Sequence, residues 1–240
     1  METLNTTHHF YLFDMNNKLF ICVATKGKKE DTLLWQTKDD DTEVFFKEHN
    51  KKPLQLVYNR AIDFAIKENV DHIILCHDDI ILENFNYDKL KEHFKNYDVL
   101  GVAGASQIKV QQPALWHLLG GGFGSGHLHG AVAHLHGTQK SMTAFGSYPH
   151  QSVIMDGVFL AISRKVFKKI RFDETCPAGF HFYDLSYTLD ASLSGFKCGV
   201  IDAYVTHASP GLREFTKDWT DGQSWFLDKY KKYVGKTVQI

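Results

Sequence analysis

Apolar runs of two different periods alternate through the first half of the chain. "KLFICVAT" (18–25), "HIILC" (72–76) and "DVLGVAGA" (98–105) are short and almost continuously apolar, as in strands buried on both faces. Between the first two, "PLQLVYNRAIDFAIKEN" (53–69) places Leu56, Val57, Ala61, Phe64 and Ala65 close to helical spacing, and Pro53 suits the first turn of that helix. "YDKLKEHFKNY" (87–97) reads as a second helix, and "TEVFFKEHN" (42–50) as a helix or turn. Strand, helix, strand, helix, strand in that order predicts an α/β fold with a mostly parallel central sheet and flanking crossover helices.

The second half is less regular. "GGGFGSGHLHGAVAHLHGTQ" (120–139) is rich in Gly and His and reads as a long loop or an added hairpin. "VIMDGVFLAIS" (153–163) and "KCGVIDAYVTHAS" (197–209) read as strands, "RKVFKKI" (164–170) as a short helix, and "HFYDLSYTLDASLSGF" (181–196) as a helix. The tail "SWFLDKYKKYVGK" (224–236) reads as a basic amphipathic helix. No internal repeat or linker divides the chain. The expectation is one domain over residues 1–240, with a nucleotide-binding part at about 18–105, an acceptor-side part at about 106–210 and a helical tail at 211–240.

Composition excludes some classes. The net charge of −1 gives no global case for a nucleic-acid or membrane-surface binder. No apolar stretch approaches the roughly 20 residues of a spanning helix. "METLNTTHHF" (1–10) lacks the pattern of a secretory signal. Cys22, Cys76, Cys176 and Cys198 are scattered, which predicts small core residues in a reducing, cytoplasmic compartment rather than a zinc site.

"VDHIILCHDDIIL" (70–82) carries the strongest chemical signal. His77, Asp78 and Asp79 interrupt an apolar run, and adjacent carboxylates are costly to bury without a partner. Ligands of open α/β sheets bind beyond the carboxyl ends of the strands. Thr25, the His77–Asp79 cluster, Asp156 with Gly157, and His207 all fall at such ends, and Asp184 lies on the helix before the last strand. Paired carboxylates there suit Mg2+ or Mn2+, and an added imidazole tilts the choice toward Mn2+. Each residue also has a plainer role: Asp78 and Asp79 as turn caps, Asp156 as a strand-end turn residue, His207 as an ordinary hydrogen-bonded histidine, Asp184 as a helix-surface residue. His127, His129, His134 and His136 form a second metal site, a lid, or a solvent-facing hairpin.

The order of these motifs resembles the family-2-like glycosyltransferases with the GT-A fold, over residues 18 to 210. "IILCHDDIIL" resembles the Asp-x-Asp metal segment, "YNRAI" the preceding helix, and "MDGVFLAISRKVF" the strand before the acceptor helix. "RFDETCPAGFHFYDLSYTLDASLSGFKCGVI" resembles the segment with the catalytic carboxylate, and "VTHAS" the strand whose His completes the metal site. The resemblance implies an inverting transfer of a sugar from a nucleotide-sugar, a UDP-sugar by default, to an acceptor hydroxyl. It implies Asp79 and His207 as metal ligands, Thr25, Asn59 and Asp78 on the nucleotide, and Asp184 as general base. Asp156 would orient donor or acceptor, and Trp116 offers a stacking face to a sugar or a piece of core. A glycan or lipopolysaccharide is the default acceptor; a protein side chain or a hydroxylated DNA base are others. The sequence departs from the pattern at His77, where the first Asp is usual, and at Tyr183, where a Glu usually precedes Asp184. The alternatives are a nucleotidyltransferase, which would want a Gly-rich phosphate loop after the first strand, and a non-catalytic carbohydrate- or metal-binding module.

Overall fold

The computed structural model describes residues 19–202, 205–209, 211, 214–234 and 236–239, so the reading of the N-terminal ten residues lies outside it, as do positions 203 and 204 of the expected last strand. In chain order the strands are β1 (Leu19–Ala24), β2 (Phe45–Lys47), β3 (His72–Cys76), β4 (Ile80–Leu82), β5 (Val99–Gly101), β6 (Ala103–Ala105), β7 (Gln107–Lys109), β8 (Leu128–His136), β9 (Gln139–Gly146), β10 (His150–Ser152), β11 (Ile154–Met155), β12 (Phe159–Ser163), β13 (Cys198–Val200), β14 (Val205–His207) and β15 (Thr237–Gln239). The α-helices are α1 (Leu33–Thr37), α2 (Leu54–Lys67), α3 (Tyr87–His93), α4 (Trp116–Leu119), α5 (Arg164–Phe167), α6 (Tyr183–Leu193) and α7 (Lys217–Lys229).

A seven-stranded sheet in the order β10-β13-β5-β12-β3-β1-β2 forms the centre. β2, β1, β3, β5 and β13 run one way; β12 and β10 run the other. The fold is therefore mixed α/β with a mostly parallel central sheet, as the alternating runs predict. Side chains on its strands alternate between two cores. Phe20, Ile73 and Leu75 face α2 and α6 with Tyr58, Phe172, Tyr183 and Tyr187. Ile21, Val23, Ile74 and Cys76 face the other way, onto Leu34, Leu100 and Phe159.

Five expectations change. "TEVFFKEHN" holds an edge strand, β2, because Phe45 and Phe46 pack into opposite cores, which needs a period of two. "DVLGVAGA" splits between two sheets at Val102: β5 lies in the central sheet and β6 in a second one, ordered β11-β6-β8-β14-β4. Close approach explains the glycines there, since a Cβ at Gly104 would come 2.4 Å from the Ile154 carbonyl. "VIMDGVFLAIS" divides in the same way into β11 and β12, with the Asp156–Gly157 turn between them. "KCGVIDAYVTHAS" is two strands, β13 in the central sheet and β14 in the second one. The tail is helical only to Lys229; a 3-10 turn follows and β15 pairs with β7. The Gly/His-rich segment becomes a loop running into the β8–β9 hairpin.

Asn59, buried on α2, clamps the chain that leads into α6. Its amide donates to the Phe172 carbonyl at 2.9 Å and to Glu174 Oε1 at 2.8 Å, and accepts from the Phe172 N–H at 2.9 Å. Asn59→Ala leaves a buried donor and acceptor of residue 172 unpaired, a loss of about 1–3 kcal/mol. Urea denaturation should show a lower midpoint for this variant; an unchanged midpoint would mean the clamp contributes nothing.

Candidate active site

Strand register assembles the site. β3 ends at Cys76, the chain turns through His77, Asp78 and Asp79, and β4 begins at Ile80. β14 pairs antiparallel with β4, with His207 opposite Ile80, and the Ala208 N–H donates to the Asp79 carbonyl at 2.9 Å. His207 is thereby held beside Asp79 although 128 positions separate them (207 − 79). On its other side β14 pairs with β8, so His134 is the neighbour of His207.

His77, Asp79 and His207 bring one donor atom each to within 4.8 Å of one another. Asp79 Oδ1 lies 3.2 Å from His207 Nε2 and 3.8 Å from His77 Nδ1, and the two imidazole nitrogens are 3.3 Å apart. Yet Asp79 Oδ1 is buried and accepts no hydrogen bond. Burial pushes the Asp79 carboxyl up, but the His207 and His77 imidazoles outweigh it and hold it below its usual range. Burial and the neighbouring His207 ring lower the pKa of His77. A buried carboxylate oxygen that makes no hydrogen bond and lies within 4 Å of two imidazole nitrogens is a donor set that fits a divalent cation.

Asp184 stands in the first turn of α6, and its Oδ2 accepts from the Gly157 N–H at 2.7 Å. The preceding Tyr183 donates its hydroxyl to the Gly157 carbonyl at 3.2 Å. A Cβ at Gly157 would lie 2.4 Å from that hydroxyl and 2.7 Å from Asp184 Cβ, so only glycine lets the turn and the helix meet. Burial, and then the Asp156 carboxylate, push the Asp184 carboxyl up to about 7. Such a pKa suits a group that takes and releases protons near neutrality.

The other candidates divide. Asp156 caps its own turn by accepting from the Val158 N–H at 2.9 Å, and its charge acts on Asp184, His77, His117 and His134. Asp78 is half-buried next to His77 and receives the Leu34 N–H on its carbonyl at 3.2 Å. Thr25 sits at the end of β1, where its hydroxyl accepts from the Gly27 N–H at 3.3 Å and so shapes the loop. Asn59 is not brought to the cluster; its amide is spent on residues 172 and 174. Trp116, on α4, meets Phe145 edge to face at 4.8 Å, a packing contact. The hairpin histidines fall into two groups: His127 Nδ1 and His129 Nε2 both reach Ser106 Oγ, at 3.5 and 3.0 Å, and His134 lies beside His207. His129 is buried and stacks on His150, whereas His134 and His136 stack on each other at 6.3 Å. Among the described residues they form no ion-holding group.

Sequence reading did not assign a role to His77 or to Tyr183. These are the two departures from the motifs the chain resembles, and they touch: His77 Nε2 lies 3.2 Å from the Tyr183 hydroxyl. Phe180, half-exposed, also lies against the His77 ring at 5.1 Å. Their separation in sequence hid both contacts.

The profile of a glycosyltransferase-like family matches residues 33–239, and the chain belongs to that family. No curated protein sequence matches it. Among solved structures it is similar to the protein A197 from STIV, at 11% identity and TM-score 0.47, covering 78% of this chain and 82% of that one. HddC from Yersinia pseudotuberculosis is similar at 15% identity and TM-score 0.37 (89% and 80% covered). The inositol-1-phosphate CTP transferase from T. maritima follows at 14% identity and TM-score 0.32 (86% and 77% covered).

The raised pKa of Asp184 has a consequence for stability. Its folded value of about 7 lies above the ordinary 3.8, so the folded state binds the extra proton and the stability this contributes is lost as pH rises from about 4 to 7. Asp184→Asn keeps an oxygen for the Gly157 N–H and carries no charge. At about pH 8 it should therefore be more stable than the wild type, by about 1–3 kcal/mol, and the difference should vanish near pH 4. Equal thermal stability of the two proteins at both pH values would contradict the burial of this carboxyl.

Proposed function

We propose that this protein is a metal-dependent inverting glycosyltransferase that moves a sugar from a nucleotide-sugar, a UDP-sugar by default, to an acceptor hydroxyl. The observation that supports it most is the pairing of two unlike carboxyl environments at one strand-end site. Asp79 Oδ1 faces the His207 and His77 imidazoles at 3.2 and 3.8 Å, which hold its carboxyl below the usual range, and Asp184, bound by the Gly157 N–H, is pushed by burial up to about 7. A divalent cation, Mn2+ or Mg2+, bound by Asp79 and His207 would neutralise the charge that grows on a departing diphosphate.

The chain's own residues divide the remaining work. Asp184 takes the proton of the acceptor hydroxyl as that oxygen attacks the anomeric carbon, help worth roughly 10²–10⁴-fold in rate. Gly157 fixes the carboxylate through its N–H. Asp156 keeps Asp184 basic and orients the sugar hydroxyls. Asp78 and the loop shaped by Thr25 border the nucleotide, and Trp116 with Phe145 walls the acceptor side. Among the described residues no helix is long and apolar enough to cross a membrane. All four cysteines are free and buried, which supports the reducing cytoplasm as the compartment. The acceptor we favour is a glycan or lipopolysaccharide sugar; a hydroxylated DNA base would make turnover fall steeply with salt.

Hydrolysis of a panel of nucleotide-sugars in EDTA, Mg2+ or Mn2+ tests the reading. One donor should be hydrolysed slowly, and only with metal. Asp79→Ala should abolish metal-dependent donor binding. Asp184→Asn should retain donor binding and lose about 10²-fold or more of transfer, and the remaining wild-type activity should fall as pH drops below about 7. No hydrolysis and no nucleotide binding would favour a non-catalytic binding module.

A further inference from the structure

We propose that His77 is a third ligand of the ion held by Asp79 and His207, binding through Nδ1, and that Tyr183 is the positioning residue that fixes which of its ring nitrogens binds. This rests on the reading of the cluster as the metal site of a transferase, and it concerns which atoms bind and which ions they prefer.

The assignment follows from counting protons. A tyrosine hydroxyl has one proton and two lone pairs. Tyr183 gives its proton to the Gly157 carbonyl, which can only accept. Its oxygen can then meet His77 Nε2, 3.2 Å away, only as an acceptor. Nε2 therefore carries the ring proton of His77, and Nδ1 is left with a bare lone pair. Nδ1 is the nitrogen that faces Asp79 Oδ1 and His207 Nε2. A hydrogen bond from the far nitrogen of an imidazole is the usual device that fixes the tautomer of a histidine ligand.

The Tyr183 ring is itself fixed. It is buried, meets the Tyr58 ring at 5.5 Å and the Phe172 ring at 6.1 Å, and its backbone opens α6. Phe180 covers one side of the imidazole. His77 thus has little freedom to turn Nδ1 away. The resulting donor set is two imidazole nitrogens and one carboxylate. Imidazole suits borderline transition ions, whereas Mg2+ prefers oxygen donors and retains its waters. Tyr183 is a positioning residue here, acting through His77.

Metal binding to the purified full chain, without sugar donor, tests this by calorimetry and by the visible spectrum of bound Co2+. The wild type should bind Co2+ and Mn2+ well above Mg2+, with a Co2+ spectrum showing nitrogen ligation. Tyr183→Phe keeps the ring and its packing; it should stay folded with a melting temperature lowered by the unpaired Gly157 carbonyl, lose about 10- to 100-fold in Co2+ affinity and alter the spectrum. His77→Asp should lower the Co2+/Mg2+ affinity ratio by about tenfold or more. Unchanged Co2+ affinity and spectrum in Tyr183→Phe, or an unchanged ratio in His77→Asp, would overturn the proposal even if sugar transfer were found. Selective Co2+ binding that depends on Tyr183, in a protein that transfers no sugar, would uphold it and defeat the transferase reading instead.

Discussion

The antiparallel pairing of β4 with β14 is the contact on which the site depends. Only three residues pair in each strand, yet the register places His207 opposite Ile80, directly after Asp79. A slip of one position would turn the imidazole to the other face of the sheet. β8 secures the far side of β14, so the second sheet acts as a brace for one histidine. The central sheet does the same for His77: β3 is flanked by β1 and β12, and the His77 N–H donates to the Val158 carbonyl at 3.2 Å. Two sheets meet where β3 gives way to β4, and the donor cluster occupies that junction.

The polar groups collected there are costly to keep. Asp79 Oδ1 has no hydrogen bond, burial and the His207 ring lower the pKa of His77, and the Asp156 carboxylate adds to the cost of ionising the buried Asp184. A chain selected only for stability would replace such a set with apolar residues. Local departures from the packing rules of the rest of the fold mark functional positions. Here they coincide with three glycine-dependent or turn-dependent features: the Asp156 turn, the close approach at Gly157 and the left-handed Phe182 before α6, at φ 65°.

Much of the central sheet was legible because its strands are buried on both faces and its helices carry a single apolar stripe. β1, β3, α2, α3 and α6 lie where periodicity puts them. The second sheet was not legible. Its strands continue apolar runs that belong to the central sheet, so "DVLGVAGA" and "VIMDGVFLAIS" each read as one strand where two are found. In "DVLGVAGA" the switch leaves no mark in hydrophobicity and rests on Gly104, which admits the Ile154 backbone; in "VIMDGVFLAIS" its one mark is the Asp156–Gly157 turn. Of the candidate residues, Asp79 and His207 stand out as polar residues at strand ends, whereas Asp184, on a helix, was singled out by the resemblance. The link from His77 to Tyr183 was not legible: both stand out as departures from the motifs, but 106 positions separate them and nothing in the sequence joins the two. Asn59 shows the opposite case: its recurrence in "YNRAI" pointed to a ligand, and its amide instead clamps the chain before α6.

The proposed function requires a divalent ion held among His77, Asp79 and His207. Anomalous diffraction at the manganese edge from crystals grown with Mn2+ and UDP measures this directly. The account predicts a single strong peak within bonding distance of Asp79 Oδ1, His77 Nδ1 and His207 Nε2, with the UDP diphosphate reaching the same ion. A peak elsewhere, or a diphosphate bound away from this cluster, would contradict it.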